Sequence, residues 1–137
     1  NKFDSALYYS NDALRLAKKT NSTADIGSTL NKICNIYFEQ QNFDQAIKTG
    51  LDALEYHKKS GSIHDEVWVY ITMANIFYNQ NNFPKSHEYY DKALELSISS
   101  GIKNRIARIY LEKGNAYLLR RSIRMLKLIS KRLCRQP

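Results

Sequence analysis

Residues that interrupt helices are scarce in this sequence, which has only two prolines and five glycines among 137 residues. Proline and glycine disfavour a helix interior more than any other residue, so the composition favours long uninterrupted helices. Long apolar runs are also missing, because no stretch approaches the roughly 18 residues that a membrane-spanning helix requires. No signal peptide is visible. We therefore expect a cytoplasmic protein.

Cysteine and the motifs of catalysis are equally scarce. Cys34 and Cys134 have no cysteine or histidine at ligand spacing, which argues against a disulfide framework and a zinc site. Cys34 lies in an apolar stretch and is expected to be buried. The sequence has no glycine-rich phosphate loop, nucleophile elbow or metal-binding histidine pair, and His57, His64 and His87 are expected at the surface. The prediction is a protein that is not an enzyme and needs no cofactor or metal.

Acidic residues are missing from the C-terminal end of the chain. Residues 1–119 contain 14 lysines and arginines against 13 acidic residues, a balance of +1. Residues 120–137 contain seven lysines and arginines and no acid, which supplies the remaining +7 of the net charge of +8. The basic character therefore belongs to the tail, and it does not indicate that the whole chain binds nucleic acid.

An interval of 40 residues recurs along the chain. The positions that agree are the phenylalanines Phe3, Phe43 and Phe83; the pairs Ala13-Leu14, Ala53-Leu54 and Ala93-Leu94; and the asparagines Asn35, Asn75 and Asn115. Agreement at this many positions indicates an internal repeat, which should be identified before any other feature of the fold.

Each repeat has the pattern of two helices, here called A and B, joined by a short turn. In the second repeat, apolar residues at 30, 33, 34, 37 and 38 form the stripe of helix A. Asn42 is placed to cap helix B, and Gly61 is the residue type that usually follows a helix in the left-handed conformation. The predicted helices span 3–19, 24–41, 43–60, 63–81, 83–100 and 103–119, followed by a helical tail.

The repeats resemble the tetratricopeptide repeat (TPR). The matching residues are Leu30 and Tyr70 at the large A-helix position; Cys34, Ala74 and Gly114 at the small one; Tyr37, Phe77 and Tyr117 at the aromatic one; and Ala6, Ala46, Ser86, Ala13, Ala53 and Ala93 at the small B-helix positions. The period of 40 in place of 34 is similar to that of kinesin light chains and of bacterial peptide-sensing regulators. The resemblance implies an all-α fold, a right-handed superhelical TPR solenoid of antiparallel helix pairs with about seven helices.

The resemblance also divides the chain into units. Residues 1–119 form the TPR array, with a half repeat at 1–20, repeats at 24–60 and 63–100, and the A helix of a fourth repeat at 103–119. Residues 120–137 form a basic amphipathic C-terminal helix. Since one helix pair cannot bury its apolar face alone, stability is expected to come from stacking neighbouring pairs.

In TPR arrays the A helices line a concave groove, so the resemblance implies a binding site for a protein or an extended peptide segment. The residues placed in this groove are Asn31, Asn35 and Phe38; Trp68, Ile71, Asn75 and Tyr78; and Arg108, Leu111, Asn115 and Leu118. An asparagine amide offers a donor and an acceptor to a peptide backbone, aromatic side chains offer apolar contacts, and Arg108 can meet a carboxylate. Asparagine is also common at this position in the family. Two interpretations therefore stay open: these asparagines bind a peptide, or they are present only because they belong to the family's consensus sequence.

The tail departs from the repeat pattern. Its cations at 120, 124, 127, 131 and 135 follow one side of a helix, and its apolar residues at 119, 123, 126, 129 and 133 follow another. Three interpretations stay open: a degenerate B helix or capping helix whose apolar stripe covers the last repeat, a basic helix that contacts nucleic acid or an anionic membrane, or an atypical chain end. If the turn near 120–122 is absent, one helix runs from about 103 into the 130s.

Two classes of function follow from the resemblance. One is a scaffold or adaptor that holds a partner's extended segment in the groove. The other is the sensory or regulatory TPR portion of a larger bacterial signalling or transcription regulator. Self-association is a third possibility, because a repeat end without its neighbour exposes apolar surface.

Overall fold

The computed structural model describes residues 1–134, apart from the side chain of Leu133. Two members of the predicted tail stripes, Arg135 and the Leu133 side chain, therefore lie outside the described residues. Within 1–134 the chain forms six α-helices and no strand. In order they are α1 (Lys2–Lys19), α2 (Thr23–Glu39), α3 (Phe43–Ser60), α4 (Ile63–Asn79), α5 (Phe83–Ser99) and α6 (Lys103–Leu133). Helices α2, α4 and α6 are the A helices of the repeat, and α1, α3 and α5 are the B helices.

Short polar side chains cap the N-termini of four helices, and in α1 the side chain of Asn1 accepts a hydrogen bond from the Phe3 N–H. Ser22, Asn42 and Asn82 each accept a hydrogen bond from the backbone N–H three residues later. This confirms the predicted cap at Asn42 and satisfies an N–H that has no partner inside the helix. Pro84 lies in the first turn of α5, where its missing N–H removes no helical hydrogen bond.

The turns between helices contain a residue in the left-handed conformation, which is an asparagine or glutamine in three turns and a glycine in two. The turns that lead from α1, α2 and α4 into the next helix contain Asn21, Gln41 and Asn81 at φ of 52°, 59° and 60°. The turns after α3 and α5 contain Gly61 and Gly101 at φ of 71° and 69°. The glycines fit the sequence prediction. Asn21 stands at the repeat position of Gly61 and Gly101, and Gln41 and Asn81 are equivalent to each other; the left-handed conformation of these three residues is a finding of the structure.

Consecutive helices pack against each other in chain order. The contacts are most extensive within the A–B pairs, α2 with α3 and α4 with α5, and the neighbouring A helices also touch each other. Because short turns join the partners, each pair is antiparallel. This arrangement confirms the predicted all-α solenoid of stacked helix pairs.

Two hydrophobic clusters form the core, and helix α4 belongs to both. The first surrounds Cys34 and Met73, and the second surrounds Tyr90 and Ile109. Cys34 is fully buried, as the sequence predicted, and its thiol donates a hydrogen bond to the carbonyl oxygen of Ala46 at 3.2 Å. Burial raises the pKa of this thiol to about 12, because an apolar environment disfavours the thiolate.

Helix α6 is longer than the other A helices. It continues without a break through 120–122, so the predicted segments 103–119 and 120–137 share one helix up to Leu133. The count in the described chain is therefore six helices, close to the predicted seven. The physical reason lies in the sequence Arg120-Arg121-Ser122, which lacks the asparagine or glutamine that adopts the left-handed turn at the equivalent positions of α2 and α4.

The interpretation of the tail as a B helix that covers the last repeat is wrong for the described residues. Every described side chain from Tyr117 to Cys134 is exposed, so this part of α6 buries no apolar face. A B helix needs small residues for close approach, and Leu126 stands where the second and third repeats have Ala46 and Ser86. None of the helices in residues 1–134 is both long and apolar enough to cross a membrane.

Candidate functional site

A shallow cavity lies where α4, α5 and α6 meet. Its volume is about 340 Å³, and we call it the groove cavity. Its lining residues are Asn75, Tyr78, Tyr90, Glu112, Asn115, Ala116 and Leu119. Three of these, Asn75, Tyr78 and Asn115, belong to the set that the TPR resemblance placed in the groove. The cavity thus brings together predicted residues from two successive A helices.

Asn75 is held by two neighbouring helices. Its side-chain NH2 donates to Oε2 of Glu112 on α6 at 3.3 Å, and its side-chain oxygen accepts a hydrogen bond from the Tyr90 hydroxyl on α5. Burial, followed by the nearby Glu112 carboxylate, raises the pKa of Tyr90 above its usual range. The phenol therefore stays protonated and keeps donating to Asn75. The amide of Asn75 joins three helices instead of facing solvent freely.

Arg108 is already engaged by its neighbours. Its Nε lies 2.8 Å from Oε1 of Glu112, and its guanidinium carbon lies 4.6 Å from the centroid of the Trp68 ring. Arg105 also contacts this ring, at 4.9 Å from the centroid. Cations over an indole face are attracted by the ring's negative quadrupole. The arginine predicted to receive a ligand carboxylate is thus paired with Glu112 and stacked on Trp68.

Tyr78 is fixed in the wall of the groove cavity. Its hydroxyl donates a hydrogen bond to the carbonyl oxygen of Ala116 at 3.1 Å. Its ring meets the ring of Phe83 edge-on, with the centroids 5.3 Å apart. This hydrogen bond joins a side chain of one repeat to the backbone of the next. It therefore holds helices α4 and α6 in register and fixes one side of the cavity.

Ile71 is a correction to the predicted groove. Its side chain is only 2% exposed and belongs to the second core cluster. The reason is that α4 is packed between α2 and α6, so this position is covered by its neighbours. The equivalent position on the terminal A helix, Leu111, is 64% exposed.

The predicted residues on α2 lie outside the groove cavity. Asn31 and Asn35 are half-buried on that helix. Phe38 packs toward Phe43 at the α2–α3 turn, with ring centroids 6.3 Å apart. On α6, Asn115 and Leu118 are exposed at the predicted face. The structure therefore concentrates the candidate site between α4 and α6.

Four residues that line the cavity are not among those predicted from the sequence, namely Tyr90, Glu112, Ala116 and Leu119. The three on α6 have a helical spacing with Asn115, and the position of Glu112 four residues after Arg108 is a pairing signal that the sequence contains. Tyr90 carries no such signal, because it comes from a B helix and reaches Asn75 only through tertiary packing.

His57 is the second correction. The sequence predicts a surface histidine, but the side chain is completely buried where α3 packs against α2. Room for the ring comes from Gly27, since a Cβ on that residue would lie 2.9 Å from two of the ring atoms. Burial lowers the pKa of His57, and the nearby carboxylates of Asp65 and Glu66 oppose this effect only in part. No group of three or more potential metal ligands occurs among the residues that the structure covers.

Comparison with known proteins agrees with this architecture. A family model described as tetratricopeptide repeat matches residues 25–99, more than half of the chain. A search of curated proteins finds no match. Proteins built from this repeat generally serve as scaffolds for protein–protein interaction, and the repeat is typically non-catalytic. With the repeat pattern, the stacked helix pairs and the family match in agreement, this chain belongs to the tetratricopeptide repeat family.

Proposed function

We propose that this chain binds an extended segment of a partner protein across the groove cavity, between helices α4 and α6. The proposed activity is binding and not catalysis. The proposal rests on a difference within the groove cavity: the side chains at its floor are held in place by the protein, whereas those at its rim are exposed to solvent. Asn75 and Tyr78 in the floor are held by hydrogen bonds to the neighbouring helix, whereas Asn115 at the rim is exposed.

A fixed floor supports tight binding because little side-chain freedom is lost when a ligand docks. The exposed amide of Asn115 can donate to one peptide carbonyl and accept from one peptide N–H. Leu111 and Leu118 flank it on the same helix and are 64% and 59% exposed. They offer apolar contacts on either side of those hydrogen bonds, which is the combination that extended peptides require.

The electrostatics of the floor restrict the ligand. The Glu112 carboxylate is paired with Arg108 and also accepts from Asn75, so neither charge is free for a ligand. Because the Glu112 carboxylate already neutralises much of the charge of Arg108, a free C-terminal carboxylate would gain less here than from an unpaired arginine. We therefore propose that the ligand presents an internal, uncharged backbone with a small apolar side chain over Ala116 and Leu119.

The test is selection of a phage-displayed library of unstructured peptides on the full chain, followed by titration of the selected peptides. Asn115→Ala should weaken binding by up to about tenfold, which corresponds to one lost hydrogen bond. Leu119→Ala should weaken it further by removing apolar contact. Asn11→Ala, an exposed mid-helix asparagine on α1, is the matched control and should leave the affinity unchanged.

Circular dichroism spectra of the variants exclude a loss of fold as the cause. If the selected peptides bind Asn115→Ala and Asn11→Ala with equal affinity, the groove cavity is not the binding site. The same conclusion would follow if no peptide in the library were retained by the wild-type chain.

A further inference from the structure

A second and larger cavity lies on the extension of α6, which we define as residues 120–133. We call it the tail cavity, and its volume is about 580 Å³. It occupies the space between this extension and the α4–α5 turn, where Asn81 and Phe83 form the opposite wall. The lining residues on α6 are Arg120, Ile123, Arg124, Lys127, Leu128 and Lys131. A cavity of this size is within the range of ligand sites in proteins.

The tail cavity has an apolar wall and a basic rim. The guanidinium carbon of Arg120 lies 4.4 Å from the centroid of the Phe83 ring. Ile123 and Leu128 are exposed on the α6 side. Arg124, Lys127 and Lys131 continue the row of cations down the helix.

The positive charge of this row has no counterpart in its own segment, since residues 120–137 contain no aspartate or glutamate. Several cations in residues 1–119 are paired with acidic side chains of the protein. Lys59 lies 2.6 Å from Glu55, Lys92 lies 2.7 Å from Glu88, and residues 1–119 as a whole are nearly neutral. A concentration of one charge sign beside exposed apolar side chains favours a ligand of the opposite sign.

We propose that the tail cavity binds an acidic amphipathic segment of another protein. Its apolar side chains would lie against Phe83, Ile123 and Leu128, and its carboxylates would meet the row of cations. This site is separate from the groove cavity, because the two share no lining residue. The proposal therefore does not depend on the function proposed above.

The shape of the site favours a helical segment. The α6 residues that line the cavity are three, four, seven, eight and eleven positions after Arg120, which places them on one face of the helix. This face is roughly 16 Å long at 1.5 Å per residue. A partner helix lying beside it would meet the cations with its flanks and the apolar residues with its centre, as in other helix-and-groove complexes.

A membrane and a nucleic acid fit the same surface less well. A flat bilayer would contact the outward side of the extension, where Leu126 and Ile129 are exposed and do not line the cavity. Single-stranded nucleic acid would need a free aromatic face for base stacking. Among the described residues, Phe83 is the single aromatic side chain that lines the tail cavity, and the guanidinium of Arg120 occupies one face of its ring, so successive bases have no row of aromatic faces to stack on.

The test uses the full chain and a fluorescein-labelled synthetic helix with leucines on one face and glutamates on the rest. A second helix with lysines in place of the glutamates measures the contribution of charge sign. We expect the acidic helix to bind, with an affinity that falls as salt is raised, and the basic helix not to bind. Vesicles with and without phosphatidylserine and a single-stranded oligonucleotide are tested beside the peptides.

Two pairs of matched variants locate the binding site. Ile123→Ala/Leu128→Ala removes apolar side chains from the cavity and should weaken binding of the acidic helix by about tenfold or more. Leu126→Ala/Ile129→Ala removes two comparable side chains from the other side of the helix and should leave binding unchanged. All four residues are exposed, so neither variant is expected to disturb the core.

The second pair tests the charges. Arg124→Gln/Lys127→Gln should weaken binding several-fold, more at low salt than at high salt. Arg121→Gln/Arg132→Gln removes the same charge from residues that do not line the tail cavity and should have a smaller effect.

If both variants of each pair lost the same affinity for the acidic helix, the proposal would be overturned. Binding would then depend on the amino-acid composition of the α6 extension and not on the tail cavity. Binding to phosphatidylserine vesicles that requires Leu126 and Ile129, without binding of the acidic helix, would also overturn it in favour of a membrane contact. Retention of only the oligonucleotide would overturn it in favour of nucleic acid.

Discussion

At the residue scale, two glycines in A helices have opposite surroundings. A Cβ on Gly27 would lie 2.9 Å from ring atoms of the buried His57, whereas a Cβ on Gly114 would meet nothing within 4 Å. Gly27→Ala should therefore destabilise the fold by about 1–3 kcal/mol through overpacking. Gly114→Ala should stabilise it by about 0.5–1 kcal/mol, because alanine loses less backbone freedom in a helix. Urea unfolding followed by circular dichroism measures both changes, and changes of the same sign would contradict the packing described for Gly27.

His57 should make stability depend on pH. Its pKa is lowered in the folded state by burial, so below the ordinary histidine pKa of about 6.5 the unfolded chain binds protons that the folded chain does not. The contribution of His57 to the free energy of unfolding should therefore stay constant above that pH and decrease as the pH falls below it. Urea unfolding from pH 7.5 to 5 measures the slope.

The comparison for this pH dependence is between histidine variants. In His57→Gln the component due to this group should disappear, and His64→Gln, which replaces a histidine at an exposed position, is the matched control. A slope that is unchanged in His57→Gln would assign the pH dependence to other groups.

The two cysteines should differ in reactivity. Burial raises the pKa of Cys34 to about 12 and shields its sulfur, whereas Cys134 is exposed. Since the thiolate is the reactive form, a maleimide reagent should modify Cys134 rapidly and Cys34 only after unfolding. Mass spectrometry should show one adduct on the native chain and two in denaturant. Rapid double labelling of the native chain would contradict the packing around Cys34.

At the element scale, the length of α6 depends on a missing turn. The equivalent turns after α2 and α4 contain Gln41 and Asn81 with positive φ. The corresponding position in the fourth repeat is Arg121, and the helix continues through it. Local sequence therefore decides where an A helix ends, and the absence of one turn residue produces the extension that forms the tail cavity.

A proline in the extension tests whether that segment supports the core. Ser122→Pro removes a helical hydrogen bond and clashes with the preceding turn, at a local cost of about 3 kcal/mol. Because the extension buries no apolar face, we expect a reduced helical signal in circular dichroism with little change in the melting temperature.

The matched variant is Thr72→Pro, which makes the same change inside the buried helix α4 and should prevent folding. A large drop in melting temperature for Ser122→Pro would mean that the extension contributes to the core after all.

At the scale of the whole molecule, burial is concentrated in the middle of the array. Helix α4 has eight buried residues, whereas α1 has only Ala17. In solenoids each unit is stabilised mainly by its neighbours, so the terminal helices should open more often than the central ones. Hydrogen–deuterium exchange should be slowest in α4 and fastest in α1 and residues 120–132. Uniform protection along the chain would contradict this gradient.

The sequence by itself determined the helical repeat. The recurring phenylalanines, the cap at Asn42 and the small residue Cys34 are all predicted from the sequence, because helix periodicity, capping and repeat spacing are local properties. Three of the predicted groove residues, Asn75, Tyr78 and Asn115, also line one cavity in the structure. The sequence can predict that these residues lie together, because stacking of successive repeats brings equivalent residues to the same face of the solenoid.

Only the tertiary structure decided which of those residues are available to a ligand. Asn75 is hydrogen-bonded to Glu112, which lies 37 positions later in the chain, and to Tyr90 on a different helix. Ile71 and His57 are buried because neighbouring helices cover them, and the tail cavity exists because α6 passes beside Phe83. Each of these facts depends on contacts between repeats. The 40-residue period fixes which positions are equivalent, but the side chains that meet across neighbouring repeats are set by packing.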